Sequence, residues 1–139
     1  MISATAEMMS EDNANQEWQW PEELDALRAA GEYHRLIFEN ARVRVLEVRI
    51  GPGQTVPVHT HRWPSLIRTE SSSDFVRRDS EGNVTFDSRQ AASSLSNLQG
   101  GVPQAQWLEP IPPHSVENVG KSEIRLFTVE IKEPGNGAA

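Results

Sequence analysis

Gly53-Gln54-Thr55-Val56-Pro57-Val58-His59-Thr60-His61 is the stretch on which the reading of this chain turns. A glycine-containing turn leads into a β-branched run, and the run ends in two histidines separated by one threonine. On a strand, side chains two apart point to the same face. Both imidazoles can therefore converge on one point, as a metal ion requires. Taken alone, an i, i+2 histidine pair is more often a half-exposed polar face than a ligand pair. The surrounding sequence has to decide.

Working outward, strand texture dominates. Residues 42–50 are rich in β-branched side chains and nearly alternate, with a change of phase between Val45 and Leu46 that reads as a bulge. Gly51-Pro52-Gly53 is a turn, and strands are expected over residues 56–61 and 65–69. Residues 74–78 and 84–87 flank Asp79-Ser80-Glu81-Gly82-Asn83, a hairpin turn in which Gly82 is available for positive φ. A short strand is expected at 105–108 and a last one at 123–132. Upstream, Pro21-Glu22-Glu23 opens one short helix that Gly31 stops, with Leu24 and Leu27 on a common face. Residues 1–17 and 133–139 read as disordered tails around a single domain spanning 18–132. The serine-rich stretch 88–101 reads as a long loop. Many short strands and one helix indicate an all-β sandwich or barrel.

Composition narrows the chemistry. With 139 residues the chain is long enough to bury a core unaided, and it has no cysteine. Disulfides, thiolate zinc sites, iron–sulfur clusters and a cysteine nucleophile are excluded. A net charge of −7 argues against a general nucleic-acid or anionic-membrane binder. No apolar run approaches the roughly 20 residues of a membrane span, and no apolar signal core is present, so a cytoplasmic location is expected.

A second histidine segment lies far downstream. Pro110-Ile111-Pro112-Pro113-His114-Ser115-Val116-Glu117-Asn118 puts His114 at the start of a strand after a rigid turn. Gly53-x5-His59-x-His61 resembles the first half of the first cupin motif, and the proline-rich turn with His114 and Asn118 resembles the second. Phe38-Glu39-Asn40 and Val116-Glu117-Asn118-Val119-Gly120 are similar in wording to short single-domain bacterial cupins. The resemblance covers about residues 36–132. It implies an antiparallel jelly-roll β-barrel with a metal at its centre, held by His59, His61 and His114. A site without sulfur suits Fe, Mn, Ni, Cu or Zn.

The chain departs from that pattern in one respect. The glutamate ligand usual in cupins falls four or five residues past the second histidine, where this chain has Ser65 and Leu66. Three neutral ligands leave a divalent ion its full charge and open positions. The resemblance therefore implies a small organic substrate and three-histidine, oxygenase-type chemistry. The alternative is a non-catalytic barrel that binds a metal or small ligand. Trp63 and Trp107 are candidates for the barrel mouth or for packing. Arg68 is either a cavity residue holding a substrate carboxylate or a solvated strand residue. His34 reads as a surface or packing histidine, Asn118 as structural, and Arg42, Arg44, Arg49, Arg77 and Arg78 as solvated strand faces. A homodimer is expected from exposed edge strands, with Trp18 and Trp20 as interface candidates.

Overall fold

The computed structural model describes residues 18–90 and 104–132. The expected tails and most of the serine-rich loop lie outside the described residues. Nine strands occur among the rest: β1 (His34–Glu39), β2 (Val43–Ile50), β3 (Thr55–His59), β4 (Ser65–Ser71), β5 (Phe75–Asp79), β6 (Val84–Asp87), β7 (Ala105–Leu108), β8 (His114–Asn118) and β9 (Ile124–Ile131). They form a five-stranded sheet ordered β1-β2-β9-β4-β7 and a four-stranded sheet ordered β3-β8-β5-β6. All paired strands are antiparallel. From β2 to β5, and again from β6 to β9, each successive strand lies in the opposite sheet. That alternation is what makes the molecule a jelly roll.

β2 and β9 pair without a break from Val43↔Ile131 to Ile50↔Ile124. Their inward residues form a graded series of pairs: Ile50 with Ile124, Val48 with Leu126, Leu46 with Thr128 and Arg44 with Glu130. One end of the barrel is therefore apolar and the other charged. Ala30, Val48, Ile50, Val56 and Ile124 form the buried cluster at the apolar end, with Tyr33, Phe75, Val116 and Leu126 packed on it. This series also corrects the expected bulge in β2. The inward phase is Arg44-Leu46-Val48-Ile50 throughout, because Arg44 is buried rather than solvated. The irregularity lies in the neighbour, where β1 shifts register between Leu36 and Phe38 opposite that step.

The helix expected over residues 21–30 is split. A 3₁₀ turn (Glu22–Leu24) and one α-helical turn, α1 (Ala26–Ala29), are separated by Asp25 in an extended conformation, φ −59° and ψ 141°. Asp25 caps α1 by accepting from the Leu27 N–H, and its backbone pairs with Thr60 in a parallel bridge. The strand expected over 56–61 accordingly ends at His59, and the N-terminal segment takes over the pairing at Thr60. Gly82 has the expected positive φ of 91° in the β5–β6 turn, where Asp79 accepts from the N–H groups of Glu81 and Asn83.

On the outer face of the larger sheet one row is apolar across all five strands: Phe38, Val45, Val129, Leu66 and Trp107. Phe38 and Trp107 are about half exposed, at 52% and 53%. No helix among the described residues is long and apolar enough to cross a membrane.

Candidate metal centre

All four histidines of the chain meet inside the barrel. His59 owes its direction to an irregularity in β3. Val56 faces Val116 and His59 faces His114, so Pro57 and Val58 stand opposite the single residue Ser115. Proline cannot donate to a ladder, which makes it compatible with such a bulge. The extra residue lets Val56 and His59, three apart, both point inward. Thr60 is then held by backbone bonds with Leu24 and Ala26 and by its Oγ1, which donates to the Ile111 carbonyl at 2.8 Å. His59 and His61 consequently share a face, with ring centroids 5.2 Å apart.

His114 starts β8 directly opposite His59, at a centroid distance of 4.6 Å. His34 starts β1 and approaches from the other sheet, 4.9 Å from His59 and 5.3 Å from His61. The ligating atoms of His34, His59 and His61 lie within 4.8 Å of one another. The tightest trio thus contains His34, and His114 joins it through His59. Of the two expectations for His34, surface or packing, its burial corrects the first. His34 was missed because β1 has no alternating pattern: beyond His34 the whole strand is exposed.

The hydrogen bonds of the four rings follow one rule. Nδ1 of His34 lies 3.0 Å from the Ala30 carbonyl, Nδ1 of His59 2.8 Å from that of Pro57, and Nδ1 of His114 2.8 Å from that of Pro112. A carbonyl oxygen only accepts, so each of these Nδ1 atoms carries the hydrogen and each Nε2 keeps its lone pair. His61 Nδ1 is 2.5 Å from Oε2 of Glu130. Among the described residues no Nε2 has a hydrogen-bond partner. Burial holds His34 and His114 down to about 4 and His59 down to about 2, with neighbouring histidines lowering His34 and His59 further. Neutral imidazoles whose second nitrogen is anchored to an oxygen are the state in which histidine binds a metal.

Behind His61 lies a buried charge chain. Glu130 Oε1 accepts from Arg44 Nε at 2.6 Å, and Arg44 donates both Nη atoms to Asp25 at 3.0 Å. Burial would raise Glu130, but the bond and charge of His61 and those of Arg44 outweigh it and hold the carboxyl low. Burial likewise opposes the charge of Arg44, and its bonds to Asp25 and Glu130 reverse that. Arg44 and Glu130 were legible in principle. They carry opposite charge at the inward phase of two strands that otherwise alternate apolar residues.

The histidines open onto a cavity of about 150 Å³. Apolar side chains including Ile67, Phe75, Val116 and Leu126 make most of its wall, with Trp63, Ser65, Arg77 and Glu109 among the remainder. Of the expected pocket residues only Trp63 is placed there. It sits under the cations of Arg44 and Lys132, at 5.2 Å each. Arg68 is 62% exposed and 3.5 Å from Glu70, and Trp107 is on the outer face donating its Nε1–H to Glu109. Both pattern with outward residues because Leu66↔Trp107 and Arg68↔Ala105 pair across β4 and β7 on the phase opposite to the cavity residues Ser65 and Ile67. Arg77, expected on a solvated face, lines the cavity instead.

Neither a family model nor a curated protein matches the chain. Solved structures do. A cupin domain from Bordetella pertussis Tohama I aligns at 24% identity over 72% of this chain and 92% of that one, with a TM-score of 0.53. An RmlC-like cupin family protein with a double-stranded β-helix fold from Methanocaldococcus jannaschii aligns at 7% identity over 70% and 77%, with a TM-score of 0.47. The fold of the chain is the cupin jelly roll.

Proposed function

We propose that this cupin-fold chain is a metal-dependent protein that holds one divalent transition ion on His34, His59, His61 and His114 and processes a small organic molecule in the cavity beside it. The observation that carries the reading is the common state of the four rings. Three backbone carbonyls and one carboxylate take the four Nδ1 atoms, while the ligating atoms of His34, His59 and His61 lie within 4.8 Å of one another and the His114 ring is 4.6 Å from that of His59. Burying three imidazoles, with His61 half-buried beside them, costs desolvation that a metal ion would repay. The donor set contains nitrogen and no sulfur, which suits Fe, Mn, Ni, Cu or Zn. Bound there, such an ion supplies Lewis acidity or, for iron, oxygen activation.

The chain's own residues supply the rest. Glu130 fixes the ring of His61 and keeps its Nδ1 supplied with a negative partner. The apolar wall excludes water and accepts the body of the ligand. One observation favours the non-catalytic alternative: Glu130, the acid among the histidines, is engaged by both His61 and Arg44. It therefore offers no free oxygen as a general base.

Metal content of protein purified without an affinity tag tests the reading. We expect close to one ion per chain, and its loss in His59→Ala and His114→Ala. His34→Ala should lower metal affinity as well. Full metal content in all three variants would refute it.

A further inference from the structure

Arg77 stands in the cavity wall without a counter-ion. Most arginines of the chain lie within 4.0 Å of a carboxylate. Arg78, next to it on β5 and facing the other way, has Glu117 at 2.9 Å. Arg77 has no ion pair among the described residues, and its buried Nε has no hydrogen-bond partner. Its guanidinium lies instead against two aromatic rings, 6.0 Å from the centroid of Phe75 and 5.6 Å from that of Phe86. These rings position the cation but offer no acceptor for its N–H groups.

With a divalent ion bound, the cavity would hold an excess of positive charge. Arg44, Asp25 and Glu130 together carry one negative charge, and Arg77 cancels it. A divalent ion on four neutral imidazoles would leave two positive charges facing an apolar space. Glu109 is at the rim, but its Oε2 is taken by the indole N–H of Trp107 on the outer face. A half-buried guanidinium whose buried Nε lacks an acceptor is stabilised when an anion pairs with it. Arginine's planar fork matches a carboxylate through two parallel bonds.

We propose that the cavity takes a small monocarboxylate with an apolar body, and that Arg77 holds its carboxylate. The placement of this ligand beside the histidines rests on the metal reading above; its recognition by Arg77 does not.

Calorimetric titration separates the two. Zinc-loaded and chelator-stripped protein are each titrated with acetate, isobutyrate and benzoate, and with isobutyramide and inorganic phosphate for comparison. At least one carboxylate should bind, and isobutyramide should bind roughly tenfold or more weakly than isobutyrate. Arg77→Gln should lose roughly tenfold or more in carboxylate affinity at unchanged metal content, Arg77→Lys should lose less, and Arg68→Gln should lose nothing. Carboxylate binding that needs Arg77 in a protein that takes up no metal would leave this proposal standing and remove the metal reading. Normal metal uptake with no carboxylate bound, or acid and amide bound equally, would overturn the proposal and leave the metal reading intact. Tighter binding of phosphate than of any carboxylate would overturn it too. The acid-against-amide comparison uses the unaltered protein, so the test survives if Arg77→Gln fails to fold.

Discussion

Glu130→Gln is the substitution whose outcome most directly probes the link between fold and site. The carboxylate is fully buried and serves two donors, His61 Nδ1 at 2.5 Å and Arg44 Nε at 2.6 Å. Glutamine keeps the shape but loses the charge, and its one oxygen can serve both donors only with weaker bonds. Removing one partner of a buried ion pair costs about 3–5 kcal/mol. With an amide oxygen still accepting, a loss of about 2–4 kcal/mol is expected. For a domain this size that corresponds to a fall in melting temperature of about 10 °C. The same change withdraws the negative partner of a ligating ring, for which affinity losses of about 10–100-fold are typical. Thermal melts of chelator-treated protein read the first effect, and competition against a chelator of known affinity reads the second. Asp25→Asn supplies the contrast. It weakens the bidentate bond to Arg44 but leaves the Glu130–His61 contact in place, so stability should fall while metal affinity stays within about threefold. If Glu130→Gln left both quantities unchanged, or if Asp25→Asn lowered metal affinity as much as it did, the argued role of Glu130 would be wrong.

Other outcomes follow from the same contacts. In metal-free protein His34, His59 and His114 stay neutral well below the ordinary histidine value, chiefly because they are buried, while the unfolded chain protonates them near 6.5. The unfolded state then binds up to three more protons, so stability present above pH 6.5 should fall by up to about 4 kcal/mol per pH unit on the way down to pH 4. Urea midpoints that stayed flat over that window would count against the buried cluster. Metal loading should move the loss to lower pH, because the ligands must be deprotonated to stay bound. Asn118→Ala should destabilise by about 2–4 kcal/mol, since Nδ2 donates to the carbonyls of Ile50 and Ser122 and Oδ1 accepts from Gly120 N, all in a fully buried position. Equilibrium unfolding measures this, and a loss under about 0.5 kcal/mol would contradict it. Gly120→Ala should also destabilise, because a Cβ there would meet Ser73 Oγ and come within 2.8 Å of the Asp74 backbone nitrogen; an unchanged melting temperature would show that the Ser73–Asp74 loop gives way at no cost.

The strands were legible wherever burial alternates. Residues 42–50 and 123–132 announce themselves because their inward phase is filled mainly by apolar side chains, and the observed β2 and β9 differ from expectation by a residue at the ends. β1 was not legible, since it lies at the sheet edge with Leu36, Ile37 and Phe38 all exposed and so carries no periodic signal. His59 was legible through its spacing from His61 and Gly53, and His114 through the proline-rich turn before it; in the structure the carbonyls of Pro57 and Pro112, each two residues upstream, hold the two rings. His34 was not, because its anchor is the Ala30 carbonyl at the end of α1, a local helix-end contact with no motif around it. Arg68 and Arg77 show the limit most directly. Both sit on strands, and only the pairing register decides that one faces Glu70 in solvent and the other faces the cavity.

The missing glutamate and the extra histidine are best understood together. The resemblance to cupins places a ligating carboxylate four or five residues past His61, and Ser65 occupies that place on the cavity wall, buried but too short to reach across it. A carboxylate is still present, but it lies one bond further out: Glu130 touches His61 rather than the space between the rings. His34 fills the vacated side, approaching from the sheet opposite β3 and β8. In the proposed site an anionic donor would be exchanged for a neutral one, with the negative charge of Glu130 kept nearby. An ion held this way keeps its full charge at its open face, and charge in an apolar cavity is felt far more strongly than in water. Arg77 adds to that field rather than opposing it. A site built so would discriminate between ligands by their charge before their shape, which is why the acid-against-amide comparison is the measurement that bears hardest on what this barrel does.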